Sequence, residues 1–202
     1  MNRLNQDDRF MSLEHTRSGS VIVIGSGPSL FKNDLASLSG VPTFCLNHTL
    51  PFMLPYKPTH WTFWDNRDEF RYALKAAQYH GVQTFITHPV ANHWGLPKAG
   101  EENLYRVNGF HLPGHCDGCT ADLALGIAVH LGYARAFLLG FDGGGGHIVG
   151  NWGGSHDAYR WIDYSIREHA KHIEIVSAGA YHGLEFLPHV SLEKALELCR
   201  QF

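Results

Sequence analysis

The run Val21-Ile22-Val23-Ile24 is halted at Gly25 and followed by Ser26-Gly27-Pro28-Ser29-Leu30. Consecutive β-branched residues leave no polar face, so the strand they form must be covered on both sides. Sheets covered on both sides are mainly parallel, with strands joined by right-handed helical crossovers. The remaining sequence has that alternation. A short helix is expected at 32–38 and strands at 42–46 and 61–64. A helix at 68–79 then leads to a strand at 83–87, one at 120–131 to a strand at 136–139, and one at 158–172 to a strand at 173–176. A helix at 191–200 follows. The expected fold class is α/β, Rossmann-like, with a mainly parallel sheet and helices on both faces.

Composition narrows the function classes. At 202 residues and 44% hydrophobic content the chain has enough material for one well-cored domain. A formal charge of -3 without a clustered Lys/Arg face argues against a dedicated nucleic-acid surface, and the acidic excess is too small for disorder. No apolar run approaches the roughly 18 residues of a membrane span, so none is expected. Residues 1–20 are polar, lack the apolar core of a secretory signal, and read as a flexible leader, which makes a cytoplasmic setting the expectation. Cys45, Cys116, Cys119 and Cys199 do not resemble a disulfide framework at this length.

In open parallel sheets ligands bind beyond the carboxyl ends of the strands. Residues 25–29, 65–67 and 140–146 all fall at such ends. In Gly25-Ser26-Gly27-Pro28-Ser29 the glycines let an anion approach the main chain, and a helix start offers unpaired N–H groups. Pro28 suits the first helical turn, and the Ser26 and Ser29 hydroxyls can donate to phosphate oxygens. A plain tight turn with a serine cap has the same pattern. No lysine of the P-loop type is present. The phosphate reading makes residues 21–202 a single nucleotide-binding domain, with the Pro-, Gly-, Asn- and His-rich stretch 88–118 as a loop or lid.

The opening motif, residues 21–30, resembles that of two related groups: the bacterial sialyltransferases of glycosyltransferase family 42, and the domain-of-unknown-function 115 group, which includes 6-hydroxymethylpterin diphosphokinases. Later segments resemble the same groups in the same order. Cys45-Leu46-Asn47 is similar to the motif whose asparagine meets the nucleotide-sugar. The stretch from Lys57-Pro58-Thr59 to Asp65 resembles a Lys-Pro-Asp segment with a strand-end aspartate. Asp117-Gly118-Cys119-Thr120 resembles a Thr-Ser-Gly helix start lining the donor pocket. Gly140-Phe141-Asp142 resembles the shared strand-end Gly-x-Asp, and His147-Ile148-Val149-Gly150 the sialyltransferase histidine motif. The chain thus looks like a short, phage-type member of this superfamily, acting in the bacterial host cytoplasm.

The resemblance implies a nucleotide or nucleotide-sugar donor, bound by residues 25–29, Asn47, Asp65 and residues 117–120, and an acceptor it does not identify. Glycosyl transfer needs stabilisation of the departing phosphate and a base for the acceptor hydroxyl. His147 and His156, with Asp142, are the candidates for the catalytic residues; both histidines could equally be solvent-facing. The second histidine of the sialyltransferase motif aligns with Asn151, and a histidine returns only at His156. Lys32 and Arg67 are candidate phosphate partners. The glycosyltransferase reading requires no metal or other cofactor. In the alternative, an ATP-dependent pyrophosphokinase-like phosphotransferase, Asp65 and Asp142 share Mg²⁺. A third reading is a non-catalytic nucleotide-binding or phage assembly protein, and a homo-oligomer is open in all three. Cys116 and Cys119 form a lone C-x-x-C, a weak zinc or redox signal.

Overall fold

The computed structural model describes residues 8–96, 102–108, 112–114, 119–142 and 156–201, with backbone alone for 156–161. Its centre is a parallel eight-stranded sheet in the order β5-β4-β3-β2-β1-β6-β7-β8. The strands are β1 (Ser20–Ile24), β2 (Thr43–Leu46), β3 (His60–Phe63), β4 (Gln83–Thr87), β5 (Leu104–Val107), β6 (Arg135–Leu139), β7 (Glu174–Ala178) and β8 (His189–Val190). Winding runs outward from β1 through β2 on one side, and from β6 on the other. The topological switch therefore lies between β1 and β6, which pair from Ser20↔Arg135 to Ile24↔Leu139.

Every residue of β1 is buried because each face has its own core. Ile22 and Ile24 point into a layer with Trp61, Phe63 and Phe137, capped by helices α2 (Leu50–Met53), α3 (Asp68–Tyr79) and α7 (Leu192–Cys199). Val21 and Val23 alternate to the other layer, with Phe44, Phe85 and Leu138 under α5 (Thr120–Leu131) and α6 (His156–His169). No helix among the described residues is long and apolar enough to cross a membrane.

Beyond edge strand β8 and the short helix α2, neither of which was expected, three parts differ from expectation. Within the stretch read as a loop or lid, the structure places α4 (His88–His93) and edge strand β5. Pro89 occupies the start of α4, where its missing N–H costs nothing. In β5 the charged Arg106 interrupts an otherwise strand-like pattern. It is nonetheless buried, with its guanidinium hydrogen-bonded to Asn92 and the Leu96 carbonyl. The second difference is the leader. Helix α1 (Asp8–Met11) buries Phe10 completely, stacked on His130 at 4.2 Å and edge-on to Phe85. His15 and Arg17 donate main-chain bonds to the carbonyls of His130 and Leu131, tying the segment to the end of α5. The third is at 32–38, where two 3₁₀ turns, Pro28–Lys32 and Leu35–Leu38, stand in place of one helix. Asp34 caps the second by accepting from the Ala36 N–H, a local bond that breaks the run.

Candidate functional site

Beyond the carboxyl ends of β1 and β6, two turns press together. The Gly25 N–H donates to the Leu139 carbonyl and the Gly27 N–H to the Gly140 carbonyl, both at 2.8 Å. A Cβ on Gly25 would lie 2.7 Å from the Gly140 oxygen; one on Gly27 would lie 2.5 Å from Asp142 Cγ. Gly27 has an ordinary φ of -73°, so close approach, rather than backbone freedom, is what demands glycine there. Gly140, at φ +75°, needs glycine for its conformation as well.

Asp142 closes the corner. One carboxylate oxygen accepts the Ser29 N–H at 2.7 Å and the other accepts the Ser29 hydroxyl. The anion met by the turn in this structure is thus the protein's own carboxylate. A third segment braces the same corner. Asn33 donates to the Ser29 carbonyl at 2.8 Å and accepts from the Ala180 N–H at 2.9 Å, while Gly183 packs against Phe141 and Asp142 so closely that a Cβ would collide.

A second polar pair forms beside it. Asn47, just past β2, adopts the left-handed conformation at φ +48°, which asparagine tolerates better than most residues. Its carbonyl accepts from the Trp61 indole at 2.9 Å, and its side-chain oxygen accepts from the Thr120 hydroxyl at 2.9 Å. Thr120 is the first residue of α5, whose cap is Cys119: the sulfur accepts the Asp122 N–H at 3.4 Å. Burial pushes the Cys119 thiol up to about 11, so it is held protonated near neutrality.

The structure therefore brings Gly25, Gly27, Ser29 and Asp142 into one cluster, and Asn47, Cys119 and Thr120 into another. Asp65 stands apart at the exposed end of β3, paired with Arg67 at 3.3 Å. Lys32 lies 5.9 Å from the Tyr181 ring centre. Among the described residues no three His, Cys, Asp or Glu side chains are grouped as a metal site requires. His147, Asp117, Gly118 and Cys116 lie outside the described residues, and His156 opens α6 with its side chain likewise outside them. Trp94 is buried, its ring centre 5.4 Å from that of Phe63.

Comparison with solved structures identifies the architecture. The chain shares its fold with a glycosyltransferase. The MAf glycosyltransferase from Magnetospirillum magneticum AMB-1 superposes with a TM-score of 0.56 at 13% identity, over 99% of this chain but only 43% of that one. The Campylobacter jejuni sialyltransferase CstII, solved in complex with a substrate analogue, cytidine-5'-monophosphate, gives a TM-score of 0.49 at 15% identity over 79% of each chain. No protein-family model and no curated protein matches the sequence.

One constellation escaped sequence reasoning. Asp122, fully buried in the first turn of α5, accepts from Ser165 and from His169, each at 2.8 Å. The signal was present: Asp122 is the lone carboxylate in the apolar segment 120–131, and Ser165 and His169 are spaced one helical turn apart. Another buried histidine, His60, bonds the Tyr133 hydroxyl at 2.9 Å; burial, helped by the Arg17 charge, pushes it down to about 3 and keeps it neutral.

Proposed function

We propose that this chain is a nucleotide-sugar-dependent glycosyltransferase whose donor lies across the switch point. The observation that carries the reading is the convergence there of the Gly25–Ser29 turn with Asp142, beside the Asn47–Thr120 pair. The fold shared with a glycosyltransferase and the order of the motifs support it. Because the Gly27 and Ser29 amides already serve Gly140 and Asp142, the turn shapes the crevice, and direct contacts to the donor fall to Ser26, Asn47 and Thr120. Asn47 and Thr120 meet the ribose or base edge, and Lys32 is the cation offered to the phosphate. In the transfer, the acceptor hydroxyl gives its proton to an imidazole, His147 or His156. The acceptor oxygen bonds the anomeric carbon as the sugar–phosphate bond breaks, and the nucleotide leaves with that electron pair.

The test is a thermal-shift and turnover screen of CMP- and UDP-sugars, CMP, UDP and ATP, with and without Mg²⁺. A ligand at about a hundredfold over its Kd stabilises by roughly 2.7 kcal/mol, a readily measured shift. Stabilisation by a CMP or UDP ligand without metal, with slow release of free sugar or nucleotide, is the expected result. A response to ATP alone, and only with Mg²⁺, overturns the reading in favour of phosphotransfer. Binding without turnover on any acceptor reduces it to a nucleotide-binding protein.

A further inference from the structure

Asp122, Ser165 and His169 form a polar cluster inside the apolar layer under α5 and α6. Asp122 and His169 are both fully buried, and their 2.8 Å contact joins the first turn of α5 to the last turn of α6. A third segment meets the same ring. Gly114 adopts φ +74°, and a Cβ there would lie 2.7 Å from His169 Nδ1. Gly126, one turn beyond Asp122, would carry its Cβ 3.4 Å from His169 Cε1 and 2.9 Å from Leu112. The imidazole therefore fills a slot made by two glycines, with its Nε2 committed to Asp122.

Burying such a pair is costly, and apolar residues of similar size often give equal or better stability. What a buried polar network supplies is a single permitted arrangement, because each displaced partner leaves a desolvated group behind. The arrangement fixed here is the start of α5. Asp122 is two residues beyond Thr120, whose hydroxyl meets Asn47.

We propose that Asp122, Ser165 and His169 are positioning residues for the nucleotide pocket, holding the first turn of α5 where Thr120 reaches Asn47. The inference rests on the nucleotide reading above for what is being positioned. It does not rest on that reading for the clamp itself.

The experiment pairs amide hydrogen exchange with CMP binding in the full chain, comparing wild type with Asp122→Asn, His169→Phe, His169→Gln and Ser165→Ala. Exchange over residues 119–125 is expected to quicken about tenfold or more in Asp122→Asn and His169→Phe, while α3, in the opposite layer, keeps its protection. The CMP Kd is expected to rise about tenfold in the same two variants and to return to within about threefold of wild type in His169→Gln, whose amide replaces the Nε2 donor. If the stronger variants do not fold, Ser165→Ala, which deletes one hydrogen bond, shows the same pattern at about threefold. Leu123→Ala, an apolar deletion in the same helix, separates positioning from stability. If an equally destabilised Leu123→Ala loses as much CMP affinity, or if 119–125 exchanges unchanged in folded clamp variants, the proposal is overturned. If wild type binds no CMP or other nucleotide, the nucleotide reading fails, and the exchange arm alone decides the clamp.

Discussion

Replacing Gly27 with alanine should be among the most damaging small changes in this protein. The backbone itself is no obstacle, since φ is -73°. The new methyl, however, would lie 2.5 Å from Asp142 Cγ, 2.6 Å from the Gly140 oxygen and 2.7 Å from Asp142 Oδ1. Relieving these contacts means prising the end of β6 from the turn. Overpacking of this kind costs about 1–3 kcal/mol, and loss of the Gly27–Gly140 hydrogen bond with weakening of the charged Asp142–Ser29 pair adds about 2–3. A total of about 3–6 kcal/mol corresponds to a Tm lowered by roughly 6–24 °C at this chain length. The assay is a thermal and urea melt beside Gly40→Ala, where φ is +77° but a Cβ meets nothing within 4 Å. That control should cost only the left-handed backbone penalty, about 1–2 kcal/mol. Adding Asp142→Ala to Gly27→Ala should recover part of the loss, making the double variant more stable than the sum of the singles by about 1–2 kcal/mol. If Gly27→Ala costs no more than Gly40→Ala, the close approach of the two turns is wrong.

Three further outcomes follow from the same structure. His60 is held near 3 in the folded state against 6.5 for a free imidazole, so the unfolded chain takes up its proton first. Its contribution to stability is complete above about pH 6.5 and shrinks as pH falls toward 3, so urea midpoints from pH 7 to 4.5 should fall less steeply in His60→Phe. Asn47→Gly keeps the left-handed backbone but loses the Thr120 contact; CMP affinity should drop several-fold, by calorimetry, with Tm changed by only about 2–4 °C. Phe10→Ala should destabilise by about 3–5 kcal/mol in a chemical melt, a loss no flexible leader would produce.

How much the sequence disclosed depended on which physical signal each part carried. The β-branched run 21–24 announced a doubly covered strand, and α3, β4 and α5 were legible to the residue because their periodicity or turn signals were uninterrupted. Strand β5 was hidden by Arg106, whose burial is made tolerable only by partners brought in through tertiary structure. Phe10 could not be placed from sequence, since its ring is held by His130 and Phe85, far along the chain. At the candidate site, the importance of Gly25 and Gly27 was readable, but its cause was not. Composition made them room for a ligand, whereas the structure fills that room with Gly140 and Asp142. The pairing of Asn47 with Thr120 belongs to neither motif alone and exists only once β2 and α5 are neighbours.

The corner where Gly25–Ser29, Gly140–Asp142 and Gly183 meet has a bearing on how the chain is made. Its first component leaves the ribosome well before its last, Gly183. Local segments can collapse before then, but the corner cannot be completed until Gly183 is available. Until that moment the turn after β1 lacks its brace, and a nascent chain stalled before β7 would carry the opening motif in full yet lack the corner built around it.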